Sequence, residues 1–136
     1  MSTQKTILVV EDEPDQTAYL DTLFKDQGFA VITAGDGREG FEKAKSNHPD
    51  LITLDISMPE ESGVRMFRDL QGDPATADIP VIIITGITHE FKRFIETRKQ
   101  VHPPQGYFDK PLDREKLLAK INELLSAAEH KPNPVP

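Results

Sequence analysis

The chain contains no cysteine, which excludes a disulfide framework, a thiolate metal site and thiol-based redox sensing. It also lacks any run approaching the ~20 apolar residues that a membrane-spanning helix needs. Its start, Met1-Ser2-Thr3-Gln4-Lys5, has none of the apolar length of a secretory signal. The lack of a spanning run and of a secretory signal predicts a soluble, cytoplasmic protein with no membrane insertion. Basic charge is the third shortage: 16 Lys and Arg stand against 23 Asp and Glu, for a net charge of −7. With no basic stripe in the sequence, direct binding to nucleic acid or to an anionic membrane is not expected. The four histidines, His48, His89, His102 and His130, show neither metal-ligand spacing nor a neighbouring nucleophile, and are read as surface or loop residues.

What the chain does have is a repeated pattern. Its 136 residues suit one domain, and a domain of that size buries roughly 68% of the surface its unfolded form exposes. Three apolar runs each end in a reactive polar group. Ile7-Leu8-Val9-Val10 leads into Glu11-Asp12, Leu51-Ile52-Thr53-Leu54 into Asp55, and Val81-Ile82-Ile83-Ile84 into Thr85. A shorter run, Tyr107-Phe108, leads to Lys110-Pro111. Runs of this length bounded by turn signals fit strands buried on both faces, as in a parallel sheet. Phe29-Ala30-Val31-Ile32 reads as a further strand.

Helical patterns lie between the strands. Pro14 opens one that carries Ala18, Leu20, Leu23 and Phe24 and stops at Gly28. Asp36 with Glu39 makes an Asp-x-x-Glu capping pattern for a second, ending near Asn47 to Pro49. Ser62-Gly63 opens a third with Val64, Phe67 and Leu70, broken by Gly72-Asp73-Pro74. Thr88 is expected to cap a fourth with Phe91, Phe94 and Ile95 on one face, ended by Pro103-Pro104. Asp113 is expected to cap the last, where Leu117, Leu118, Ile121, Leu124 and Leu125 fall on one face. Five alternations of strand and helix predict an α/β fold, a doubly wound parallel sheet with helices on both faces. Residues 1–126 would form this domain and the proline-rich residues 127–136 a disordered tail.

Such a sheet gathers its strand-end groups along one edge, where open α/β sheets bind ligands. Glu11, Asp12 and Asp55 would then lie close together, and crowded carboxylates repel unless a cation sits among them. Magnesium fits an all-oxygen site of this kind, with the Ser57 carbonyl as a further ligand. Asp55, held at the end of a buried strand, is placed to attack phosphorus and form an acyl phosphate. Lys110 and the Thr85 hydroxyl would take phosphoryl oxygens, and Gly86 would leave room for the group to approach the backbone. Taken singly these residues have plainer readings: a turn Asp, a strand Thr, a surface Lys, a half-buried edge Tyr107. Their joint placement at four strand ends points to chemistry. Glu13, Asp15, Glu60 and Glu61 are read as solvated acids.

On these stretches, together with Glu13-Pro14, Ile56-Ser57-Met58-Pro59, Pro80 and Asp109, the chain resembles the receiver domain of two-component response regulators. The resemblance spans residues 5 to about 126. It implies the flavodoxin-like (βα)5 fold with strand order 2-1-3-4-5. It also implies that Glu11 and Asp12 hold magnesium and that a sensor histidine kinase or histidine phosphotransfer protein phosphorylates Asp55. Thr85 and Lys110 would respond to the phosphoryl group, with Tyr107 as the aromatic half of a switch with Thr85. The Lys110-Pro111 bond would be cis, and Ser57 and Ile87 would tune the phosphoryl lifetime. The segment Val101-His102-Pro103-Pro104-Gln105-Gly106 departs from the usual pattern, being slightly longer.

Three functions are open to such a chain. The first is a single-domain response regulator, monomer or weak homodimer, whose fourth helix, fifth strand and fifth helix form a face read by a downstream protein. The second is a relay passing the phosphoryl group to a histidine phosphotransfer protein, and the third is a phosphorylation-independent scaffold. A dedicated phosphatase of the haloacid-dehalogenase kind is disfavoured, since it would need an acid two residues after Asp55, where Ser57 stands.

Overall fold

Parallel strands covered by helices on both faces must be apolar on both sides, and the central strands of this sheet are. A computed structural model describes residues 4–58, 62–85, 104–110 and 112–129. Its elements run β1 (Thr6–Val10), α1 (Pro14–Asp26), β2 (Ala30–Ala34), α2 (Gly37–Asn47), β3 (Leu51–Asp55), α3 (Ser62–Gly72), β4 (Val81–Thr85), β5 (Gly106–Asp109) and a C-terminal helix (Arg114–Glu129). The sheet is wholly parallel in the order β2-β1-β3-β4-β5. This is the doubly wound, flavodoxin-like arrangement expected from the sequence. The expected helix from Thr88, with Phe91, Phe94 and Ile95, lies outside the described residues, as do Gly86, Ile87, Pro111 and residues 130–136.

Strand alternation divides the core in two. Leu8, Val10, Ile52, Leu54, Val81 and Ile83 face one way and pack with Ala44 of α2 and Met66, Phe67 and Leu70 of α3. Ile7, Val9, Leu51, Ile82 and Ile84 face the other way, against Leu20, Leu23 and Phe24 of α1 and Leu117, Ile121 and Leu125 of the C-terminal helix. Slipping any strand by one residue would exchange its two faces, so this packing fixes the register.

Local chemistry sets the helix ends. Helix α1 closes with Gly28 at φ 92°, its N–H donating to the Lys25 carbonyl and that of Phe29 to Phe24. This paired closure needs a left-handed residue where Gly28 stands. It also corrects the second strand, which begins at Ala30 and reaches Ala34 instead of spanning 29–32. Phe29 is committed to the helix closure, and the ladder starts when the Ala30 N–H donates to Lys5.

Asp36 caps α2, accepting from the Glu39 N–H at 2.8 Å. Glu39, the other half of the capping pattern, accepts from the Gly35 N–H at 2.6 Å. Asp113 caps the C-terminal helix through the Lys116 N–H. That helix runs through Glu129, three residues past the boundary expected at 126, because Ala127, Ala128 and Glu129 are good helix formers. In the long segment before β5, Gln105 clamps the start of β4: its side-chain oxygen accepts from the Val81 N–H and its own N–H donates to the Val81 carbonyl.

Candidate functional site

The register brings the strand ends to one edge. Val10 is level with Leu54, Asp55 with Ile84 and Thr85 with Asp109. Glu11, Asp55 and Lys110 therefore emerge together, each one step beyond or at the end of its ladder. The Lys110 N–H donates to the Thr85 carbonyl, which ties the end of β5 to the end of β4.

Glu11, Asp12 and Asp55 each offer a carboxylate oxygen, and these oxygens lie within 4.8 Å of one another. Glu11 and Asp55 are both 3% exposed, whereas Asp12 is open to solvent. Lys110 Nζ reaches Asp55 Oδ2 at 3.1 Å and Glu11 Oε1 at 3.3 Å. The second Glu11 oxygen accepts from the N–H groups of Asp12 and Glu13. Asp55 Oδ1 accepts from both the N–H and the hydroxyl of Ser57. Thr85 is fully buried, and alternation puts its side chain on the same side of the sheet as Ile83 and Tyr107. Tyr107 is half-buried and packs with the α2–α3 core.

Three carboxylates stand against one ammonium in this cluster. Burial pushes the Glu11 carboxyl up, and Asp55 pushes it the same way, to about 8. Burial also pushes Asp55 up, but hydrogen bonds with Glu11, Ser57 and Lys110 outweigh it and leave Asp55 below its ordinary value. Burial lowers Lys110, and its contacts with Asp55 and Glu11 outweigh that, so the ammonium is stabilised. The arrangement is a buried carboxylate held in place, a second buried carboxyl beside it, and an ammonium aimed at both. Hard oxygen donors with surplus negative charge suit a small divalent cation.

Two features escaped sequence reasoning. A Cβ on Gly63 would fall 2.5 Å from the Asp55 carbonyl oxygen and 2.7 Å from Ile56 Cα, so the first turn of α3 packs on the backbone behind Asp55. The Ser62-Gly63 pair signalled a helix start, but not this contact. Thr53, two residues before Asp55 on the same side of β3, is 1% exposed and its hydroxyl has no hydrogen-bond partner among the described residues. Nothing in the residue pattern marked it.

Residues 7–122 match the family described as response regulator receiver domain. The chain is 34% identical over 120 residues to Protein PilH of Pseudomonas aeruginosa, covering 88% of this chain and 97% of that one. It is 34% identical over 125 residues to hybrid signal transduction histidine kinase D of Dictyostelium discoideum, covering 92% of this chain but 8% of the kinase. Among solved structures, the signal receiver domain of a histidine kinase from Syntrophus aciditrophicus has a TM-score of 0.82 at 27% identity, over 97% of this chain and 98% of that one. A receiver domain protein from Methanospirillum hungatei JF-1 shares the fold, with a TM-score of 0.83 at 24% identity over 96% of this chain and 100% of its own. The chain, with its sheet order, its acidic cluster and Lys110 at one edge, belongs to the response regulator receiver domains of two-component signalling.

Proposed function

We propose that this protein is a single-domain response regulator in which Asp55 is the phosphoacceptor, and that the phosphorylated form binds a downstream protein. The observation that carries this reading is the state of Asp55: buried, held by Ser57 and Lys110, and within 4.8 Å of two other carboxylates. A histidine kinase or histidine phosphotransfer protein supplies the phosphoryl group. A carboxylate oxygen of Asp55 bonds to phosphorus as the bond from phosphorus to the imidazole nitrogen breaks, and the histidine leaves with a proton. Glu11, Asp12, Asp55 and the Ser57 carbonyl would hold magnesium, which supplies positive charge for the phosphoryl oxygens. Lys110, already on Asp55 Oδ2, follows the charge onto the phosphoryl group.

Thr85 and Gly86 contact the transferred group, and Thr85 with Tyr107 forms the switch. The added charge is small, about one unit, so the response arises from new hydrogen bonds favouring one arrangement of an existing pair of states. Ser57 and Ile87 set the lifetime of the acyl phosphate. We place the protein in the cytoplasm, where its phosphodonor operates.

The test is phosphotransfer from a radiolabelled histidine kinase or histidine phosphotransfer protein. Label should leave the donor, appear on the wild type and fail to appear on Asp55→Asn. Label that then moves rapidly to a second histidine protein would favour a relay. Absence of transfer from any histidine donor that labels a control receiver would sink the reading.

A further inference from the structure

The β2 strand lies at one end of the sheet. In a parallel ladder the N–H and C=O of successive residues face opposite neighbours. The Ala30 N–H donates to the Lys5 carbonyl and the Ala34 carbonyl accepts from the Glu11 N–H, so residues 30, 32 and 34 turn toward β1. Val31, Thr33 and the Gly35 N–H turn outward, to the side where β2 has no partner strand among the described residues.

Two of these outward groups are occupied by charged side chains from α2. Lys43 Nζ donates to the Thr33 carbonyl at 2.6 Å, and Glu39 Oε1 accepts from the Gly35 N–H at 2.6 Å. The two side chains, one helical turn apart, pair with each other at 3.4 Å. The Gly35 N–H also holds the Glu39 carboxyl below its ordinary value.

The strand itself, Ala30-Val31-Ile32-Thr33-Ala34, has no proline, no charge and no bulge, so it lacks three of the usual protections of an edge. Left bare, it would suit a second copy of this chain. Antiparallel pairing about a two-fold axis at Ile32 would set Val31 opposite Thr33 of the second copy, and each such pair exchanges two hydrogen bonds. Half of the bonds so formed need the Thr33 carbonyl as acceptor. That is the atom Lys43 covers.

We propose that Glu39 and Lys43 guard the β2 edge and keep this chain from pairing edge to edge with a second copy of itself. None of the residues involved belongs to the acidic site, so the proposal stands apart from the phosphorylation reading.

Sedimentation equilibrium over a range of concentrations tests it, on the wild type, Glu39→Ala/Lys43→Ala, Lys43→Met and Lys43→Arg. Lys43→Met keeps the helix length and Glu39, so its folding is not in question. The double variant should self-associate roughly tenfold or more tightly than the wild type. Lys43→Met should shift the same way by less, and Lys43→Arg, which retains donors, should follow the wild type. In the associated state, amide exchange at Val31 and Thr33 should slow. Folded variants with the wild-type mass at every concentration would overturn the proposal. So would association that leaves exchange at Val31 and Thr33 unchanged.

Discussion

Replacing Gly63 with alanine probes how α3 is seated behind Asp55. The new Cβ would stand 2.5 Å from the Asp55 carbonyl oxygen and 2.7 Å from Ile56 Cα. Both are backbone atoms, and Asp55 is fixed in the ladder opposite Ile84, so no side chain can swing aside. To restore ordinary contact the helix must lift by about 1 Å, and overpacking of this kind costs about 1–3 kcal/mol. Alanine's higher helix propensity offsets about 0.5–1 kcal/mol of that. The net expectation is a loss of about 1–2 kcal/mol, or a melting temperature lower by roughly 3–8 °C for a chain of this size. Gly72→Ala is the internal control. It lies at the other end of the same helix with nothing within 4 Å of its Cβ position, and it should be neutral or mildly stabilising. Urea denaturation and thermal melts of the two variants decide the matter. A Gly63→Ala protein as stable as Gly72→Ala would show that the close approach to Asp55 imposes no cost.

Thr53→Val should raise stability by about 1 kcal/mol in urea denaturation, because it replaces a buried hydroxyl, without a partner among the described residues, by a methyl of similar size; a destabilised variant would mean the hydroxyl is satisfied in solution. His48 sits at φ 44° beyond α2, so His48→Gly should gain about 0.5–1 kcal/mol; the exposed His48–Asp78 contact it removes contributes little. Glu39 is held below its ordinary value by the Gly35 N–H, with Lys43 assisting. Its contribution is present above the ordinary glutamate value and lost as pH falls through the lowered one. Glu39→Gln should therefore show a shallower loss of stability on acidification than the wild type; identical pH profiles would refute the assignment.

Much of the sheet was legible because strands buried on both faces must be apolar throughout, which makes Leu51–Leu54 and Val81–Ile84 visible as unbroken runs. β2 was harder to delimit. As an edge strand it is only half-buried over most of its length, and Phe29, apolar like its neighbours, is taken out of the strand by the local closure of α1 on Phe24. The acidic cluster was readable from strand ends, since each carboxylate follows directly from its ladder. The asymmetry within it was not. Glu11 and Asp12 are adjacent and chemically alike, yet one is buried beside Lys110 and the other faces solvent. That difference depends on which way the chain turns after Val10. The guard on β2 was hidden for a similar reason: Glu39 and Lys43 form an ordinary i,i+4 pair until the edge they cover is known.

We propose that Asp55 accepts a phosphoryl group in a site that needs a divalent cation. Intact-mass spectrometry after incubation with acetyl phosphate, with and without magnesium, tests it on the wild type and Asp55→Asn. A gain of one phosphoryl group is expected on the wild type with magnesium, and no gain without the metal or in the variant. An unmodified wild type, under conditions that modify a control receiver, would contradict it, as would an equal gain in Asp55→Asn.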